Sequence, residues 1–385
     1  MELELLDPQQ DRAAVAAVWR ALAEVSPHSY FLSWGFVETW LDSLPRGTDL
    51  RLAVLRERGA ATAAAAFLGR SRVVRQKLFR SEAWLLNQTG SRALDQLYIE
   101  DNGLLLDPRA NLTLTDLAER LPGNWEELYL SGIDPRSATG AMLDGVRPPY
   151  QVLIANRIPA PYVDLAATRN KDYLALVSAN TRAQIRRCYK LYGERGPVRR
   201  EVAEDAASAL EIYGELVELH QGWWRRRGGR GAFASPYFDA FHRSLIARRF
   251  AAGEIQLLRV RAGAETIGCL YSFVWKGTVS FYQSGFRWED DNRLKPGFLC
   301  HTEAVRHNAE RGHAVYDFMA SFDEYKLRMA THRRELVWAR LQKPRLKFAV
   351  ERMMRSGALR AMEHYRRWKS GRKRPARARA AEMAC

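Results

Sequence analysis

The residue types best suited to chemistry gather between Tyr271 and Lys326. Asp317-Phe318 is followed by Met319-Ala320-Ser321-Phe322-Asp323-Glu324 and then Tyr325-Lys326. Two carboxylates, a phenol and an ammonium thus follow a predicted strand at Val315–Phe318. In open α/β sheets, ligands bind beyond the carboxyl ends of strands. Tyr325 can give a proton to a leaving group, and Asp317 can orient that group or accept a proton. A surface helix start with solvated charges would read the same way.

Upstream, a strand over Thr278–Phe286 leads through a polar loop that includes Arg293 to Pro296-Gly297, which opens a helix. Proline suits a first helical turn because its missing N–H would be unpaired there anyway. The free N–H groups and the dipole of such a terminus favour phosphate, and glycine lets it approach. Arg293, Pro296, Gly297 and Phe298 are the resulting anion-binding set, and a plain strand-to-helix turn is the alternative. Arg182 and Arg186 lie four apart and share a helix face, which suits an anion or plain solvation. Asn87 to Gly90, Asp95 and Glu100-Asp101-Asn102 make a polar stretch that fits either a ligand site or turns.

Helical periodicity marks 11–25, 34–44, 112–121, 171–191, 205–225, 236–250 and 298–311. Strands are expected at 50–56, 60–68, 84–86, 97–99, 104–106, 127–130, 255–260, 266–274, 278–286 and 315–318. Helix, helix, hairpin, strand, helix, strand occurs twice, an α/β order with a mixed sheet. The expected division is a first half at 1–160, a second at 161–345, and a basic amphipathic helix with a disordered tail at 346–385.

The chain has 385 residues, is 47% hydrophobic, and carries a net charge of +16. Residues 343–385 hold fourteen Lys/Arg and three Glu, so the other 342 residues carry only +5. A basic tail suits an anionic membrane, a nucleic acid or simple solvation. No stretch reaches the ~18 apolar residues of a membrane span. The N-terminus lacks a signal-peptide pattern. The four scattered cysteines show no metal or redox spacing. A cytoplasmic protein with reduced thiols and no metal is expected.

Tyr173 to about Pro344 resembles the GNAT-superfamily acyltransferases of the CelD type, relatives of the FemAB aminoacyltransferases. The resemblance rests on Asn180-Thr181-Arg182-Ala183-Gln184-Ile185-Arg186-Arg187, on His220-Gln221-Gly222-Trp223-Trp224, on Gly268 leading to Tyr282 and Pro296-Gly297, and on Asp317-Phe318 with Tyr325-Lys326. Phe31-Leu32-Ser33-Trp34 extends it into the first half. The family usually has glycine where Met319-Ala320-Ser321 stands, and its diphosphate loop is tighter than Arg293 to Gly297.

The resemblance implies two GNAT-like α/β halves with mixed, partly antiparallel sheets flanked by helices, plus the basic C-terminal helix. It implies transfer of an acyl group from a thioester, acyl-CoA as co-substrate, to a small-molecule amine. Tyr325, Asp317 and Tyr282 are the implied catalytic candidates. Lys326, Arg182, Arg186, Trp223, Glu100 and Asn102 are the substrate-binding candidates. An aminoacyl-tRNA donor and a non-catalytic assembly factor are the two competing readings.

Overall fold

The computed structural model describes residues 1–57, 61–75, 77–168 and 171–354. The first half runs β1 (Glu2–Leu6), α1 (Arg12–Val25), α2 (Trp34–Ser43), β2 (Leu50–Arg56), β3 (Thr62–Arg75), β4 (Phe79–Leu86), β5 (Leu105–Leu106), α3 (Leu114–Arg120), β6 (Glu127–Ile133), α4 (Ala138–Asp144) and β7 (Gln151–Asp164). The second runs α5 (Tyr173–Leu176), α6 (Ala179–Gly193), β8 (Val198–Val202), α7 (Ala206–Arg226), α8 (Pro236–Arg249), β9 (Ile255–Ala262), β10 (Glu265–Trp275), β11 (Thr278–Phe286), α9 (Pro296–Glu310), β12 (Val315–Asp317), α10 (Glu324–Met329) and β13 (His332–Gln342).

All these strands join one mixed sheet, in the order β1-β2-β3-β4-β6-β13-β7-β12-β11-β10-β9-β8, with β5 on β3. The order is a repeat with exchanged ends. In the first half β4 lies parallel to β6, and β6 pairs antiparallel with β13. In the second half β11 lies parallel to β12, and β12 pairs antiparallel with β7. Each half therefore receives its last strand from the other, and β7 and β13 pair along their length from His332↔Tyr162 to Gln342↔Gln151. The expected boundary at 160/161 falls inside β7.

Neither exchanged strand stands out in the sequence. Pro159-Ala160-Pro161 reads as punctuation, yet it lies within β7. The carbonyls of Pro159 and Pro161 accept from Ser321 N and Phe318 N. That side of β7 faces a loop at these residues, so a missing proline N–H there breaks no ladder bond. The expected helix over 171–191 is two helices, because Ser178 caps α6 by accepting from Thr181 N. The expected strand at 97–99 is irregular, with Tyr98 and Asp101 at positive φ (35° and 49°). The turn expected at Gly59 and the cysteine at Cys385 lie outside the described residues.

One core covers a face of both halves. It includes Trp19, Phe36 and Trp40 from α1 and α2, Phe238 and Phe241 from α8, and Tyr271 and Phe273 from β10. The opposite face has one core per half, with α3 and α4 over the first and α5, α6 and α9 over the second. After β13, residues 346–354 are helical. They are no detached tail: Phe348 and Glu351 are 1% and 7% exposed. Glu351 accepts two bonds of 2.8 Å from Arg75, which also donates 2.6 Å to the buried Glu127.

Candidate active site

β11 and β12 pair only from Thr278↔Val315 to Ser280↔Asp317. Beyond that point β11 runs on to Phe286 while β12 ends, so the two open into a notch. The pairing of β11 with β10 slips by one residue between Tyr271↔Gln283 and Ser272↔Phe281, leaving Tyr282 as a bulge. A bulge bends its strand and increases its twist, which carries β11 away from β12.

The equivalent place in the first half is closed. β4 pairs with β3 without a slip from Leu68↔Leu86 to Arg75↔Phe79. Asn102 donates to Leu86 O at 3.2 Å and to Ser131 O at 3.1 Å, tying the end of β4 to β6. Its Oδ1 accepts from Asn87 Nδ2 and Gly103 N. Asn102 is thus a buried clasp whose amide is fully engaged.

On the α9 side of the notch is a cavity of about 520 Å³. Pro296, at the start of α9, has no N–H, the N-cap Lys295 makes no side-chain cap, and Phe298 N and Leu299 N donate to Lys295 O, so in this first turn the Gly297 N–H is left for a ligand. A Cβ on Gly297 would sit 3.5 Å from Phe286 and 3.9 Å from Tyr325, so this glycine faces the cavity. Phe298 turns inward and is 3% exposed. Arg227, Arg287, Lys295 and Arg328 line the rim with Trp223, against Glu289 and Glu324. Arg227 lies 4.4 Å over the Trp223 ring, and Lys295 donates to Gln184. Among the described residues neither cation has a carboxylate partner.

Three expected anion-binding arginines are elsewhere. Arg293 is held by Asp291 in an exposed pair. Arg182 donates to Leu174 O, and Arg186 is exposed on α6. None of the three lines this cavity.

The end of β12 carries the titratable groups. Alternate residues of a strand face opposite sides. Tyr316 and Phe318 pack under α9 beside the buried His301. Asp317 points the other way, accepting from Met319 N at 2.7 Å and Arg334 Nη2 at 2.6 Å. Arg334 also binds Asp101 and Asp134. Lys326 donates to Phe318 O at 3.0 Å and lies 5.1 Å over the Phe281 ring. Tyr325 lines the α9-side cavity.

Glu100 comes from the first half, and its Oε2 accepts from Ala320 N at 2.7 Å. Burial, against the Ala320 N–H bond and reinforced by Asp317 and Asp101, raises its carboxyl to about 8. Burial likewise lowers the Lys326 ammonium, and burial followed by the Asp323 charge raises the Tyr325 phenol. Tyr282 is not free for proton transfer. Its hydroxyl donates to Leu97 O at 2.6 Å, anchoring the loop that carries Glu100. The two touching loops hold three non-glycine residues at positive φ, Tyr98, Asp101 and Met319. Such backbone costs of order 1 kcal/mol per residue and persists where the surroundings over-determine it.

A second cavity of about 410 Å³ lies on the other face of the strand end. Asp101, Asp134, Arg136, Asp317 and Arg334 line it with His28 and Trp275. Asp317 thus borders one cavity and Tyr325 the other. Neither Arg334 nor Arg227 is marked as a site residue by its sequence context. Arg334 stands in a run, Arg333-Arg334-Glu335, that looks like a solvated edge, and Arg227 looks like a dipole-complementing helix end.

Residues 179–327 match the acetyltransferase (GNAT) domain family. A comparison with curated proteins finds no match. Among solved structures, the chain is similar to the C-terminal DUF2156 domain of a putative lysylphosphatidylglycerol synthetase from Agrobacterium fabrum, at 13% identity and a TM-score of 0.51, covering 91% of this chain and 97% of that one. It is similar to FemX at 12% identity and a TM-score of 0.51, covering 89% and 97%. It also matches a tandem GNAT protein from the clavulanic acid biosynthesis pathway at 15% identity, with a TM-score of 0.46 and coverage of 89% and 99%. At these identities the likeness is one of fold. Residues 179–327 thus match a GNAT acetyltransferase domain, and the chain as a whole shares its fold with FemX.

Proposed function

We propose that this acyltransferase-type chain moves an acyl group from acyl-CoA to an amine. The observation that carries the reading is the bulged, opened β11–β12 notch beside a basic cavity at the start of α9. A diphosphate fits the Gly297 N–H at the helix start together with Lys295 and Arg227. The acyl arm then reaches the notch, and the amine arrives through the cavity bordered by Asp317.

The chemistry asks little of the protein. The amine attacks the thioester carbonyl carbon, and its proton passes to ionised Glu100. A backbone N–H in the notch holds the developing oxyanion. The C–S bond then breaks, and the thiolate takes the Tyr325 proton. Asp317, fixed by Arg334 and Met319 N, orients the amine and the loop.

Calorimetry with CoA and acetyl-CoA tests the donor, and thiol release with a panel of amines tests turnover. Micromolar CoA binding that Gly297→Asp abolishes is the expected result. Failure to bind any CoA thioester would remove the reading. The chain's +16 charge favours a second donor, aminoacyl-tRNA, and activity that RNase destroys would select it.

A further inference from the structure

The helix over 346–354 has two faces of different character. Its inner face holds Phe348 and Glu351, both buried. Lys347 pins it further by donating to Arg80 O at 2.6 Å and pairing with Glu126. Its outer face carries Leu346, Val350, Met353 and Met354, which are 83%, 38%, 70% and 48% exposed. These four follow the spacing i, i+4, i+7, i+8, which places them on one stripe ~100° wide. Four large apolar side chains on one helix are thus held outward by anchors on the other side.

The surroundings are basic. The β3–β4 hairpin that the helix is pinned to presents Lys77, Leu78 and Arg80 to solvent, with Leu78 72% exposed. The sequence from 355 to 385 adds ten Lys/Arg against two Glu, with Tyr365 and Trp368 among them. An apolar stripe beside Lys77 and Arg80, with a strongly positive stretch following it in the sequence, matches one kind of surface, an anionic interface above an apolar layer. A second copy would bring the same positive charge to the contact. A nucleic acid would answer the charge and leave the apolar stripe in water. No helix among the described residues is long and apolar enough to cross a membrane, so any such contact is interfacial.

We propose that this helix docks the protein onto an anionic lipid surface, with Leu346, Val350, Met353 and Met354 entering the interface and the basic residues meeting the head groups. The surface is distinct from the notch, and the proposal does not depend on the reaction assigned there.

The experiment is co-sedimentation of the full chain with vesicles of phosphatidylcholine alone or with 30% phosphatidylglycerol (about a third anionic lipid). The expected result is binding to the anionic vesicles, with at least tenfold weaker partition to the neutral ones. Leu346→Glu/Met353→Glu should weaken anionic binding at least tenfold more, while Met353→Leu binds as the wild type does. These side chains are exposed, so circular dichroism and melting temperature should not move. Anionic binding unchanged in the double glutamate variant overturns the proposal and leaves a charge-only contact such as nucleic acid. A double variant that melts earlier or changes its mass in solution without vesicles also overturns it, because the stripe is then covered by the chain itself or by a second copy.

Discussion

Glu100 and Ala320 are 220 residues apart in sequence, yet the carboxylate of one accepts from the backbone N–H of the other at 2.7 Å. The bond joins the two halves at the point where β11 and β12 part. It also brings a carboxyl raised to about 8 beside Lys326, at the end of the strand that carries Asp317.

The pH dependence of Glu100 follows from that placement. Folded, it holds its proton up to about pH 8, against an ordinary 4.5. The stability its protonated form contributes is complete below about 4.5 and is lost as pH rises through 8. Glu100→Gln should therefore match the wild type in acid and exceed it above pH 8, in paired denaturant titrations. Activity should move oppositely, because a base must be ionised. Wild-type kcat/KM should climb toward a plateau above pH 8, and Glu100→Gln should lose ~10²–10⁴-fold together with that limb. A limb that survives in the variant assigns the base elsewhere.

Gly297 tests the donor cavity. A Cβ there makes only ordinary contacts, with Phe286 at 3.5 Å and Tyr325 at 3.9 Å, so Gly297→Ala should fold and bind. Gly297→Asp adds a carboxylate where the phosphates are expected. CoA affinity should fall at least a hundredfold, ~2.7 kcal/mol, with little change in melting temperature. Unchanged affinity would return this turn to a purely structural role.

What the sequence revealed follows from local rules. Pro296 and Gly297 signal a helix start by their backbone chemistry, and α9 begins at Pro296. Tyr325 and Lys326 drew attention by residue type and by the resemblance, and the structure places them just past the end of β12, with Tyr325 lining the cavity and Lys326 donating to Phe318 O. The exchanged strands were not legible. β7 contains two prolines that only a one-sided ladder tolerates, and β13 takes its neighbours from β6 and β7, more than a hundred and fifty residues earlier. Arg334 was hidden for the same reason, since two of its three aspartates, Asp101 and Asp134, come from the first half. Asn102 shows the converse. Its position in a polar stretch suggested a ligand, and its amide instead clasps two strands.

Glu351 shows that the helix after β13 belongs to the fold. Its carboxylate makes both bonds to Arg75 Nε and Nη2, and Arg75 is 11% exposed. Removing one partner of a buried pair typically costs ~3–5 kcal/mol because the other charge is left behind. Glu127 stays on Arg75, so Glu351→Ala should cost about 2–3 kcal/mol. Thermal or urea unfolding checks this, and a loss under 0.5 kcal/mol would show the anchor to be dispensable. Truncation after residue 345 should be similarly destabilising.

The last prediction concerns Tyr325. Its phenol lines the cavity that Gly297 faces. Burial first, and the Asp323 charge second, hold it above its usual range. It therefore stays protonated throughout the pH range of an assay, as a general acid must. The leaving thiolate belongs to a thiol of pKa ~8.5. Such a group departs reasonably well without help, so protonation accelerates the step without being essential. General acid catalysis is typically worth ~10²–10⁴-fold. Tyr325→Phe removes only the hydroxyl and leaves the ring beside His301 and Gly297. It should lower kcat by about 10²-fold, with KM for the donor nearly unchanged. A poorer leaving group should widen the gap, because a more basic thiolate needs the proton more. Tyr282→Phe should behave differently. It removes the donor to Leu97 O and frees the loop bearing Glu100, so its effect should follow the Glu100 pH limb and ignore the leaving group. If Tyr325→Phe keeps more than half of the activity with every thioester, the proton comes from water.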